Sequence, residues 1–181
     1  MTDAVADRAD SHADRADNHA PRPVGPPASR PGSPQVSLVL PADVAFLAVA
    51  RTTAAALAAR LEFTLDDIED LRIAVDEAVS LVIAATGTIS TTGSGERVPA
   101  VSCLFTLDAT AERLDLRVTA GSTVNEPPPR TSFSWTVLEA LTEAADAGVC
   151  DGEVWVALTS RRGRVSTATG PAAGPSRVPE E

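Results

Sequence analysis

Hydrophobic positions along the chain change period several times, and each change marks an element. The longest regular run is 64–85, TLDDIEDLRIAVDEAVSLVIAA, where Ile68, Leu71, Val75, Val79 and Val82 recur at spacings of three and four. That is the period of a helix with one apolar stripe. Thr64 opens the run and Asp67 stands three residues on, the spacing of a capping box in which each side chain accepts from the other residue's backbone. At about 100° per residue, Asp70, Ile73, Glu77, Leu81 and Ala84 fall on a second, mixed face that carries a carboxylate. A face of that kind is where a site can lie.

The rest of the chain divides around this helix. Gln35–Leu40 is apolar and β-branched, an edge strand stopped by Pro41. Ala42–Leu61 is alanine-rich and predicts a first helix, joined by Glu62 and Phe63 alone, so the two helices should be antiparallel neighbours. Thr86–Pro99 is a polar, glycine-rich connector; no strand feeds it and no Gly-Lys pair closes it, which argues against a phosphate loop. Ala100–Leu107 and Arg113–Thr119 form a hairpin, and in the second strand Leu114, Leu116 and Val118 alternate with Arg113, Asp115, Arg117 and Thr119, giving a sheet with one buried face. Ala120–Thr131, with three prolines at 127–129, predicts a stiff, exposed loop. Ser132–Asp146 then predicts a third helix, capped by Ser132, with Phe133, Val137, Leu138 and Leu141 on its buried side. Phe133 and Trp135 read as core or, if exposed, as interface anchors. Glu153–Thr159 is the last strand. The sum is β-α-α-β-β-α-β, an α+β two-layer sandwich with helices on one face of a mostly antiparallel sheet.

Composition narrows what that sandwich can do. Residues 1–35 hold a twice-written heptad, ADRADSH and ADRADNH, and then a proline-rich stretch; alanine alone makes no coiled-coil seam, so this is expected to be a disordered arm. Residues 163–181 read as a second disordered tail, leaving 36–162 as the folded domain. That domain holds 18 acidic residues against 9 arginines, a net charge of −9. Nucleic acid is thereby disfavoured as a partner and a basic protein surface favoured. The chain has no lysine, and both histidines, His12 and His19, lie in the arm. Walker-type or Schiff-base lysine chemistry and a core histidine metal site are excluded by inventory. Cys103 and Cys150 are too few for a zinc site and read as free thiols. With no apolar run of membrane length and no signal-like start, the expected location is the cytoplasm.

In two stretches, LRIAVDEAVS at 71–80 and SFSWTVLEAL at 132–141, the chain resembles the anti-sigma factor serine kinases, and more narrowly their actinobacterial anti-sigma-F subgroup. These belong to the nucleotide-binding superfamily shared with histidine kinases and gyrase. The resemblance implies a Bergerat-type sandwich and a homodimer that sequesters an alternative sigma factor of the sigma-F or sigma-B type, regulates transcription in stress responses, and is released by an anti-anti-sigma partner. Kinase members phosphorylate a serine on that partner. Glu77 falls on the helix glutamate that polarises the hydroxyl in such a reaction. Other positions depart from the pattern. Leu81 stands where the family has a magnesium-binding asparagine, and leucine offers no oxygen to a hard cation. Ala120 stands for the adenine-reading aspartate, Ser122 for a following glycine, and Ser132 and Ser134 for glycines that let phosphate approach a helix start. Arg51 matches an arginine turned toward the sigma factor. The expectation is therefore an anti-sigma factor of weak or lost kinase activity, binding ATP and Mg²⁺ weakly if at all; the alternative is an active serine kinase with a rebuilt pocket.

Overall fold

The computed structural model describes residues 32–86, 99–123 and 126–163. The polar connector at 87–98 and nearly all of the expected arm and tail lie outside the described residues. In chain order the elements are β1 (Gln35–Pro41), a 3-10 turn (Val44–Phe46), α1 (Leu47–Arg60), α2 (Leu65–Ala85), β2 (Ala100–Asp108), β3 (Arg113–Gly121), α3 (Phe133–Leu141), β4 (Ala144–Cys150) and β5 (Glu153–Arg161). The five strands form one sheet in the order β1-β2-β3-β5-β4, and every neighbouring pair is antiparallel.

The capping box predicted for α2 forms. Thr64 Oγ1 accepts the Asp67 amide at 3.1 Å, and Asp67 Oδ2 accepts the Thr64 amide at 3.1 Å and the Thr64 hydroxyl at 2.7 Å. The same carboxylate oxygen also takes the amide of Gly163 at 2.9 Å, so the residue that starts α2 also fixes the chain where it leaves β5. Beyond this cap, α2 buries Leu71, Val75, Val79 and Val82 together with Ala74 and Ala78, while Ile68 is half-buried. Burying such a leucine or valine contributes on the order of 1.5–3 kcal/mol. The helix packs on the sheet chiefly at β3 and β5, with α1 and α3 on its flanks. Ala50, Ala54 and Ala58 of α1 are fully buried, and three methyl side chains at a spacing of four let α1 and α2 approach closely.

Strand alternation sets the two faces of the sheet. Leu114, Leu116, Val118 and Ala120 of β3 face the helices with Val101, Cys103 and Phe105 of β2 and Val154, Val156 and Leu158 of β5. Burial pushes the Cys103 thiol up to about 11, so it stays a neutral packing group. On the other face, the Arg117 guanidinium lies 4.4 Å from the Trp155 ring centroid. Trp155 in turn covers Gly148, where an added Cβ would stand 2.7 Å from the indole. Nearby, the Thr159 hydroxyl donates to Asp115 at 2.7 Å and Arg113 lies 3.0 Å from the same carboxylate. Burial outweighs these contacts and raises the Asp115 carboxyl above its ordinary value.

Three expectations are corrected. The third helix stops at Leu141, not Asp146: Thr142 is extended (φ −124°, ψ 157°), and its amide and hydroxyl both return to the Leu138 carbonyl. The chain freed by that stop forms β4, a fifth strand. Within α3 the buried pair is Trp135 and Leu138; Phe133 is 81% exposed, and Val137 and Leu141 are half-buried. In the proline loop, Pro128 is buried between its two exposed neighbours.

Candidate functional site

Glu77 and Leu81 sit one turn apart on α2, as the helical period requires. They differ in surroundings. Glu77 is half-buried, whereas Leu81 is 8% exposed and part of the core. A cation held at that turn would meet a hydrocarbon side chain where it needs an oxygen. Among the described residues there is no group of three or more His, Cys, Asp or Glu able to hold a metal.

Ala120 lies near the end of β3, in register with Val101 and Val154, and is buried. Its methyl completes the layer beneath the helices and offers nothing to a base edge. Ser122, two residues on, is structural. Its amide donates to the Gly152 carbonyl at 2.9 Å and its hydroxyl to the Ala85 carbonyl at 2.7 Å, tying the end of β3 to the end of α2. A groove of about 310 Å³ opens at this end of the sheet, lined by Pro99, Ala100, Gly121, Ser122, Thr123 and Gly152. None of those side chains is charged, so the groove supplies no cation to a polyphosphate.

Ser132 and Ser134 bracket the start of α3. Ser132 is the N-cap, and its Oγ accepts the Trp135 amide at 3.2 Å. An anion at this helix start would compete for that amide. Phe133 projects into solvent, while Trp135 is 1% exposed and donates its indole N–H to Glu139 at 2.8 Å. The two aromatics thus part company: Trp135 is core and Phe133 is surface.

Arg51 is not a free cation. Its guanidinium reaches across from α1 to Asp76 on α2 at 2.5 Å, the pair being partly exposed. Asp76 Oδ1 is buried without a hydrogen-bond partner, and burial raises the Asp76 carboxyl above its ordinary value, against the pull of Arg51. Asp76 was not singled out in the sequence because periodicity gives the face a residue occupies, not the side chain that crosses to it from another helix. Val44, Phe46, Val49 and Ile73 expose apolar side chains on the 3-10 turn, α1 and α2.

The structure therefore brings Glu77 and Leu81 together on one helix, and Ala120 and Ser122 together at the end of a strand bonded to that helix. Arg51 stands on α1, the neighbour of α2, and meets α2 at Asp76, the residue before Glu77. Among the described residues no helix is long and apolar enough to cross a membrane.

Neither a family model nor a curated protein matches this chain. A solved structure does: "The crystal structure of the RsbU and RsbW domains of Rv1364c from Mycobacterium tuberculosis", at 19% identity and a TM-score of 0.51, covering 74% of this chain and 34% of that one. The chain thus spans about a third of the length of the protein it matches. The likeness is one of fold, and it agrees with the expected α+β sandwich, helices on one face of an antiparallel sheet.

Proposed function

We propose that this domain is an anti-sigma regulator that acts by occupying a sigma factor of the alternative, sigma-F or sigma-B type, and is released by an anti-anti-sigma partner, with little or no nucleotide chemistry of its own. One observation carries the reading: the helix that would hold Mg²⁺-nucleotide is intact as a scaffold, yet Leu81 places a buried hydrocarbon where a cation needs oxygen. Buried Ala120 and the uncharged groove point the same way. Recognition then falls to surfaces. Exposed Val44, Phe46, Val49 and Ile73 supply apolar contact, and the partly exposed Arg51–Asp76 pair ties α1 to α2. The acidic start of α2, with Asp66 and Glu69 exposed and Asp70 half-buried, suits a basic partner. A homodimer, as in the family resembled, is part of this proposal.

Glu77 is the residue on which the alternative, an active serine kinase, rests. Two measurements on the full chain separate the readings. In calorimetric titration with Mg-ATP, the proposal expects no saturable binding; binding together with transfer of phosphate to a serine of a candidate anti-anti-sigma protein would overturn it in favour of the kinase. In co-purification and transcription assays with the sigma factors of the source genome, the proposal expects one to be bound and inhibited. Failure with all of them sinks the anti-sigma reading.

A further inference from the structure

β4 is an edge strand, and an open edge is a template for another strand unless something blunts it. Natural edges are blunted by lysine, proline or a bulge; β4, AADAGVC, has none of these and pairs with β5 in unbroken register over Ala144–Cys150. What closes it instead comes from outside the strand. Arg130, in the loop before α3, pairs with Asp146, the single charged residue of β4, and its NH2 also donates to the Ala147 carbonyl at 3.3 Å. Asp146 in turn accepts the Ala147 amide at 2.8 Å. Both backbone groups of the middle residue of the strand are thus occupied by side chains. Arg130 is held over them by the Trp135 ring, 4.7 Å from its guanidinium carbon, yet more than half of its side chain is exposed.

We infer that the outer edge of β4 is a strand-addition site for an extended, basic polypeptide segment, and that Arg130 is the latch an incoming strand displaces. The occupant follows from charge. Residues 143–153 include four carboxylates, on Glu143, Asp146, Asp151 and Glu153, and no basic residue. Removing Arg130 leaves Asp146 without its cation, and an arginine on the added strand restores one. A second copy of this chain brings the same carboxylates to the same edge and is disfavoured. The inference does not rest on sigma binding, and its test uses no sigma factor.

The test is fluorescence anisotropy of three labelled peptides against the full chain: one alternating valine with arginine, one with glutamate in place of arginine, and the arginine peptide N-methylated on alternate amides. The wild-type chain should bind the arginine peptide, and Arg130→Ala should bind it about tenfold more tightly. The glutamate and N-methylated peptides should bind neither. Arg130→Gln, which keeps the bulk of the side chain, decides the matter should the alanine variant lose its cooperative melt. Equal binding of all three peptides overturns the inference, as does an unchanged affinity in both variants. A larger assembly of the latch variants than of the wild-type chain in sedimentation, with the peptide excluded, overturns it too, by assigning the edge to a second copy.

Discussion

The starts of α2 and α3 use the same chemistry to different ends. Each has a hydroxyl N-cap, Thr64 or Ser132, accepting the amide three residues on. At α2 the return contact exists: Asp67 closes the box, is buried, and also holds the chain at Gly163. At α3 there is no such return. Ser132 is followed by an exposed Phe133 and a partly exposed Ser134, and the nearest cation, Arg130, reaches out to an edge strand. Both third residues are buried, but only Asp67 answers its cap and ties it to a distant part of the chain. The difference teaches that a cap by itself fixes where a helix begins; a side chain that returns to the cap decides how firmly that end is tied to the rest of the fold.

Substitutions can break that comparison at graded cost. Trp135→Ala should remove about 4 kcal/mol of stability in urea unfolding, the order found for emptying a buried aromatic site, whereas Phe133→Ala two residues away should stay within about 0.5 kcal/mol. Similar losses at both would mean that α3 is seated differently. Next, Asp67→Ala should cost about 3 kcal/mol, because a buried charged acceptor of three hydrogen bonds disappears; Ser132→Ala, losing one bond, should cost about 1 kcal/mol. A cap-for-cap equality would erase the distinction between the two starts.

The smallest effect expected concerns pH. Asp115 and Asp76 have folded-state pKa values raised by burial. A raised carboxyl binds more protons folded than unfolded, so its contribution is fully present below the unfolded value near 3.8 and is lost as pH rises through the folded value. Asp115→Asn should flatten that part of the slope of urea midpoint against pH above about 4; an unchanged slope would show that Asp115 is not its source.

How much of this was legible in the sequence depends on how strongly each stretch commits itself. α2 reads clearly because its stripe, cap and acidic first turn agree, and β3 because leucine and valine alternate with charge. β4 does not. AADAGVC is made of small residues with no alternation, and alanine continues the helical reading of α3 past its true end. The stop at Thr142 comes from a side chain returning to Leu138 and from pairing of 144–150 with β5, neither of which a local window contains. Position 133 shares a helical stripe with 137 and 141 and so reads as buried, while the neighbouring helix α2 favours burial of 135 and 138. Among candidate site residues, the burial of Leu81 and Ala120 was not legible: position 81 falls on the mixed face of the helix and position 120 beyond the expected strand, and both are buried because α2 packs on the sheet and β3 runs on to Gly121. The partners of Arg51 and Arg130 are set by tertiary approach and were out of reach.

The hydrogen bond from Gly163 to Asp67 also carries a message about time. Within the capping box, Thr64 and Asp67 are three residues apart and can meet as soon as α2 nucleates; Gly163 is 96 residues away. Closing that span requires β5 to be in place, and such non-local contacts come late and slowly in folding. The cap of α2 should accordingly be assembled in two stages, the local pair early and the last donor only as the chain's final strand docks, so that Asp67 completes its set of partners when the sheet does.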